Sequence, residues 1–358
     1  SDLSDGLETD LDCGGPECAP CAAGKGCAVA LDCTSRHCNG GVCALACGGA
    51  GFGLCDDTHR LTFVANDPSQ FAIPDEPFDV FVDSHNEFAM VTHQAAGAVT
   101  LIDSPAGGAA VISDLAAGLF AVDLNTGVRA ATGIAGRIPS APITVRDDND
   151  QTESQVYQDI VYVASRSESR VQTFTIQRPK NAPAYLSPGS YLFLDGAGSH
   201  GGGSTDTRAV RFSPGGDRMY VVNRFPPLVH IYDTSTTDTG VPRNVLTGAS
   251  DICRQASGLR VQEVFSGDGA SRQSFGERAY VTCFQGGEVY VVDPAGPSHV
   301  EDVISAVGRG PYAITGAPTR HQLYVTNFLE DTIAVIDVDP SSPTQNRVVL
   351  RIGIPRAQ

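Results

Sequence analysis

A strand ending in a Tyr-Val-Thr-Asn-like tetrad occurs five times in this chain, each time followed at a fixed offset by a second strand. The clearest copy is Tyr324-Val325-Thr326-Asn327 with Ile333-Ala334-Val335-Ile336-Asp337. Tyr280 to Cys283 is followed by Val289 to Asp293, and Tyr220 to Asn223 by Val229 to Asp233. Weaker copies are Tyr162 to Ser165 with Val171 to Thr175, and Met90 to His93 with Val99 to Asp103. In each copy the tetrad's last residue lies ten positions before the end of the second strand. Internal repeats decide architecture before local propensity does.

Each copy reads as two short strands rich in Val, Ile and Tyr, joined by a polar turn. A two-stranded ribbon buries too little apolar surface to stand alone, so the copies must stack. The strands are apolar almost throughout rather than alternating, which implies sheets covered on both faces. A radial stack of small antiparallel sheets meets both conditions. Candidate inner strands precede the copies at Phe78 to Val82, Arg208 to Ser213 and Tyr312 to Thr315. Candidate outer strands follow at Tyr191 to Leu194 and Arg347 to Ile352, giving four strands per unit. On these tetrads the chain resembles the YVTN-repeat β-propeller family over roughly residues 60 to 358. The resemblance implies an all-β propeller and leaves function open, since such propellers serve as enzymes, redox-enzyme subunits and binding proteins.

Five blades are countable, and six or seven stay open. The tetrads start at 90, 162, 220, 280 and 324, so all spacings but the last hold insertions. Leu61 to Asn66 reads as a strand that closes the ring or extends its edge; Leu119 to Gly127 reads as decoration or a degenerate blade.

Nine of eleven cysteines fall between residues 13 and 55: Cys13, Cys18, Cys21, Cys27, Cys33, Cys38, Cys43, Cys47 and Cys55. The Gly- and Ala-rich residues between them cannot form a core, so the segment reads as a disulfide-knotted module. Its run Glu8 to Gly15 is similar to Cys-rich repeats of secreted bacterial proteins. Zinc is the competing reading, because Cys18-x-x-Cys21 has ligand spacing, but no second such pair follows. Cys253 lies in the link entering the blade whose tetrad ends at Cys283, and a bridge between them is preferred. Three segments result: an acidic tail (1–12), the Cys-rich module (13–55) and the propeller (56–358). The chain begins at Ser1, so the expectation is a removed leader or a mature fragment.

The net charge of −17, with only Lys25 and Lys180 as lysines, makes nucleic acid a poor partner. No apolar run approaches a membrane span. The tetrad ends His93, Ser165, Asn223, Cys283 and Asn327 would form a ring of equivalent rim positions, available for binding or for capping the turn. Asp103, Asp233, Asp293 and Asp337 read as turn starters at the opposite face. Asp147, Asp148 and Asp150, with Glu153 nearby, form the densest oxygen cluster and the candidate calcium site. No other cofactor is expected. Gly196 to Gly203 reads as a flexible interblade loop and not as a phosphate cradle, since no helix start or Lys follows it.

No nucleophile elbow or paired metal-ligand motif is present. The leading expectation is therefore a non-enzymatic protein, extracellular or of the cell envelope, secreted or periplasmic. It would bind a protein partner or self-assemble through its propeller faces and Cys-rich module. The alternative is an enzyme or enzyme subunit: a lactonase-like hydrolase, or the propeller subunit of a periplasmic redox complex.

Overall fold

The computed structural model describes residues 10, 13, 19–22, 24–29, 32–33, 38–39, 41–43, 76–83, 88–95, 97–103, 111–117, 131–137, 143–146, 153–156, 160–166, 170–177, 184–194, 205–238, 240–267, 271–296, 299–317 and 320–355. The chain divides into two compact units, Ser1–Ile73 and Pro74–Gln358. In the first, β1 (Cys38–Asn39) pairs with β2 (Val42–Cys43). Among the described residues three disulfides hold it: Cys13–Cys21, Cys27–Cys38 and Cys33–Cys43. The Sγ atoms of Cys27, Cys33 and Cys43 lie within 4.8 Å of one another, yet all three are spent in those bonds. Cys21 is likewise bonded, so the zinc reading loses a thiolate it requires. Cys18, Cys47, Cys55 and the segments 61–66 and 119–127 lie outside the described residues.

The second unit is a five-bladed propeller arrangement of four-stranded antiparallel sheets. Blade one is β3 (Pro77–Val82), β4 (Phe88–His93), β5 (Ala98–Asp103) and β6 (Val111–Ala117). Blade two is β7 (Ala131–Arg137), β10 (Ile160–Ser165), β11 (Arg170–Gln177) and β12 (Tyr185–Phe193). A hairpin of β8 (Ile143–Arg146) and β9 (Glu153–Val156) is inserted after β7, which accounts for the widest tetrad spacing. Blade three is β13 (Thr205–Phe212), β14 (Arg218–Phe225), β15 (Pro227–Asp233) and β16 (Val245–Asp251). Blade four is β17 (Ala256–Ser266), β18 (Gln273–Cys283), β19 (Glu288–Val292) and β20 (Val300–Ile304). Blade five is β21 (Pro311–Ala317), β22 (Gln322–Asn327), β23 (Thr332–Asp337) and β24 (Arg347–Ile352). The tetrads are the second strands and the offset segments the third. Inner strands touch in chain order, β3 to β7, β7 to β13, β13 to β17 and β17 to β21.

The tetrad chemistry explains how blades are sewn together. In blades one and four its third residue bonds across to the next blade: Thr92 Oγ1 donates to the Thr132 carbonyl at 2.6 Å, and Thr282 Oγ1 to the Tyr312 carbonyl at 2.9 Å. Its tyrosine does the same at the other end. The Tyr162 hydroxyl donates to Asn244 Oδ1 at 2.9 Å and the Tyr220 hydroxyl to Glu277 Oε1 at 2.7 Å. Each of these tyrosines buries its ring and satisfies its one polar atom, as burial demands. In blade five the Tyr324 hydroxyl turns back to Gln322 of its own strand.

Burial separates inner from terminal blades. The second strands of blades two and three are buried on both faces. In β22 burial alternates: Leu323, Val325 and Asn327 are buried, and Gln322, Tyr324 and Thr326 are not. In β4, Ala89 and Val91 are the less buried positions. Among the described residues the terminal blades thus show one covered face, and Ile333, Leu350 and Ile352 stand exposed on the other face of blade five.

Gly133 and Gly258 permit the tight hub. A Cβ at 133 would meet the Ala209 Cα at 2.6 Å, and one at 258 the Tyr312 carbonyl oxygen at 2.5 Å. Three third strands end in the same turn: the Oδ1 of Asp233, Asp293 and Asp337 accepts the amide two residues on, each at 2.9 Å. The hydroxyl and amide of Ser235 hold the Asp233 carboxyl below the usual carboxylate range. At Asp337 burial pushes upward, but the Ser342 and Thr344 hydroxyls and the Asp339 amide outweigh it and the carboxyl is also held low.

Candidate functional site

The tetrad ends are buried. His93, Ser165, Asn223 and Cys283 are 0 % exposed and Asn327 is 1 %. The imidazole Nε2 of His93 lies 2.8 Å from the Thr100 hydroxyl. Asn223 Nδ2 donates to the Phe225 and Pro226 carbonyls at 2.9 and 3.1 Å, bridging the turn into β15. Asn327 Nδ2 donates to the Val307 carbonyl at 3.0 Å and to Thr332 Oγ1 at 3.1 Å. Cys283 is bonded to Cys253, Cα to Cα 5.9 Å. These side chains close the turns at the tetrad face. Asp147, Asp148 and Asp150 lie outside the described residues, and Glu153 opens β9, of which only the backbone course is described.

The residues one step beyond the tetrads carry the chemistry. They are Gln94, Arg166, Arg224, Phe284 and Phe328. Each inner strand starts at this same face, because antiparallel pairing sets its first residues beside the tetrad's last: Thr207 lies opposite Asn223, and Ala256 opposite Cys283. Arginines from two blades therefore converge on the start of β13.

Asp206 sits there with φ of 69°, a left-handed conformation that a non-glycine residue rarely adopts. Its amide donates to the Arg166 carbonyl at 2.5 Å, which ties blade three to blade two. Its carboxylate faces three guanidiniums. Arg166 Nε lies 3.1 Å and Arg208 Nε 2.6 Å from Oδ1, and Arg224 Nη1 lies 3.5 Å from Oδ2. Arg224 Nε also donates to the Ala256 carbonyl at 2.6 Å. The Arg208 and Arg224 side chains are 10 % and 16 % exposed, and Arg166 is 47 % exposed. Although Arg208 Nε is close to the carboxylate, its N–H is not aligned for a hydrogen bond. Burial first, and then repulsion from Arg208, lowers the Arg224 pKa. One carboxylate thus serves three cations, with two positive charges left over among the described residues of a chain whose net charge is −17.

Deeper in the hub, Asp79 of β3 pairs with Arg211 of β13 at 3.1 Å and accepts the Ile134 amide, strapping three inner strands together. Arg260 of β17 stands beside this pair; burial and then the Arg211 charge lower its pKa. Arg260 Nε and Gln262 Oε1 are buried without hydrogen bonds, and both lie against Gly316, where a Cβ would fill the space.

The neighbouring sector of the same face is aromatic. Phe284, Tyr312 and Phe328 form a triangle with centroids 6.2 to 6.4 Å apart. Tyr312 is 42 % and Phe328 67 % exposed. Beside them lies a cavity of about 330 Å³ lined by Asn327, Phe328, Leu329, Asp331 and Ile333, among others.

Compared with known proteins, the chain matches no protein-family model and no curated protein. Solved structures are similar to it in fold. One is a protein from Lactobacillus plantarum, with 17 % identity, TM-score 0.47, covering 78 % of this chain and 72 % of that one. Another is the periplasmic gluconolactonase PpgL of Pseudomonas aeruginosa, with 13 % identity, TM-score 0.46, covering 79 % and 71 %. A third is the dihydro-heme d1 dehydrogenase NirN, with 13 % identity, TM-score 0.40, covering 80 % and 57 %.

Proposed function

We propose that this protein is an exported propeller of the YVTN-repeat type whose tetrad face binds an anionic small molecule, and that it is an enzyme of the lactonase-like hydrolase class. The observation that carries the reading is the set of three guanidiniums around the single carboxylate of Asp206. A surface ion pair has little need of such a cluster. Recessed cations short of partners are costly unless an anion completes them. The chain's overall negative field does not prevent this, because salt screens it beyond about 8 Å while short-range guanidinium contacts persist. In lactone hydrolysis, water adds to the ring carbonyl and negative charge develops on its oxygen. Preorganised guanidiniums stabilise that charge in a recessed, poorly solvated site. The disulfides of both units fit an oxidising compartment outside the cytoplasm. The Cys-rich module supports the same location.

The test is ring opening of a panel of five- and six-membered lactones bearing carboxylate or phosphate groups, followed by acid release. The reading expects turnover that falls at least tenfold in Arg224→Gln. Binding of the panel without turnover would leave a binding protein and remove the hydrolase. A second reading, self-assembly through a propeller face, is favoured by Ile333, Leu350 and Ile352, exposed at 36 %, 55 % and 46 % on blade five. Concentration-dependent mass in solution, abolished by Leu350→Lys, would support it.

A further inference from the structure

The arginine cluster and the aromatic triangle are joined through one pair of adjacent peptide groups. Arg224 Nε donates to the carbonyl of Ala256 at 2.6 Å. The amide of Phe284 donates to the carbonyl of Gln255, the preceding residue, at 3.2 Å. Consecutive Cα atoms are about 3.8 Å apart. The Arg224 guanidinium and the Phe284 amide are thus anchored to neighbouring residues at the start of β17, on the rim between blades three and four. From Phe284 the apolar surface continues over Tyr312 to Phe328, with ring centroids 6.4 and 6.2 Å apart. Phe328 leaves two thirds of its surface in water. A cationic recess with an aromatic shelf at its edge has a defined chemical complement.

We infer that the ligand of this face is an anion carrying a flat apolar ring, its carboxylate or phosphate held by Arg166, Arg208 and Arg224 and its ring stacked on Tyr312 and Phe328. This rests on the anion-binding reading above and adds the body of the ligand to its head. Bidentate guanidinium contacts suit a planar carboxylate or a phosphate equally. Ring stacking on each exposed aromatic adds about two- to tenfold in affinity beyond area burial.

Isothermal titration of the full chain with inorganic phosphate, phenyl phosphate and phenol, at one ionic strength, tests it. Phenyl phosphate is expected to bind at least fivefold more tightly than inorganic phosphate, and phenol not measurably. Phe328→Ala, at an exposed position, is expected to erase most of that advantage while leaving phosphate binding unchanged. Arg166→Gln, half exposed and remote from the core, is expected to weaken both phosphates equally. Equal affinity of the two phosphates, or an advantage that survives Phe328→Ala, overturns the aromatic shelf and leaves the anion site standing. Failure of either phosphate to bind, or binding untouched by Arg166→Gln, overturns the anion site itself. Phenol binding as tightly as phenyl phosphate overturns the joint recognition.

Discussion

Replacing Gly133 by alanine sets two effects of opposite sign against each other at the hub. Gly133 lies in β7 with no positive φ, so alanine fits its backbone, and restricting the unfolded chain would stabilise by about 0.4–1 kcal/mol. Against this, the new Cβ would lie 2.6 Å from the Ala209 Cα and 2.9 Å from both the Arg208 carbonyl oxygen and the Val210 nitrogen. Carbon atoms rest at about 3.5–4.0 Å, so strands β7 and β13 must part by roughly 1 Å. All three neighbours are backbone, so no side chain can rotate away. Overpacking of this kind costs about 1–3 kcal/mol. The steric effect wins, with a net loss of about 1–2 kcal/mol. At about 2 °C per kcal/mol for a unit as large as Pro74–Gln358, Tm falls by about 2–4 °C. Calorimetry measures it. Gly215→Ala is the control, since its nearest contact would be 3.5 Å, and it is expected to move Tm by less than 2 °C or so. A Gly133→Ala variant as stable as the parent would refute the packing of these two inner strands against each other. Because the crowded backbone includes Arg208, the same variant is expected to bind phosphate more weakly.

Other expectations follow from particular contacts. Removing the Cys253–Cys283 bond with a double serine variant releases a 30-residue span and is expected to cost about 3–4 kcal/mol, read from urea unfolding. Tyr220→Phe removes the hydroxyl that donates to Glu277 from the preceding blade and should cost roughly 1–2 kcal/mol, while Tyr324→Phe, bonded only within its own strand, should cost less. The Asp233 and Asp337 carboxyls are held low in the folded state, so they favour folding above the ordinary carboxylate pKa. That stability is lost as pH falls through their lowered folded values, and an Asp233→Asn/Asp337→Asn variant is expected to show a shallower loss of Tm in acid. Burial raises the Tyr162 hydroxyl to about 12, so its ultraviolet titration is expected well after that of exposed tyrosines.

The repeat made the blades legible because each tetrad residue has a separate structural duty. Val, at the second position, fills the sheet interface; Tyr162, Tyr220, Thr92 and Thr282 reach the adjacent blade; the fourth residue, as at Asn223, closes the turn. Such duties leave a fixed pattern in sequence. Blade two was harder to delimit, since its outer strand begins at Tyr185 rather than Tyr191 and the β8–β9 hairpin interrupts it. The expectation of two covered faces holds for the middle blades and fails at the ends, where Ile333 and Val80 are apolar yet exposed. Hydrophobicity alone does not say whether a neighbour is present.

The arginine cluster was hidden for a different reason. Arg166 and Arg224 are 58 positions apart, and Asp206 and Arg208 look like ordinary surface charges in a linear reading. Only the stacking of blade two on blade three brings them together. A signal did exist one residue past the tetrads, where Arg166, Arg224, Phe284 and Phe328 divide the face into a basic and an aromatic sector.

Anomalous diffraction from crystals soaked in selenate, a tetrahedral dianion visible against sulfur, tests the anion site most directly. The predicted result is a selenate peak at the start of β13, about 3 Å from guanidinium nitrogens of Arg208 and Arg224. Ordered selenate elsewhere on the protein with none beside those arginines would contradict it.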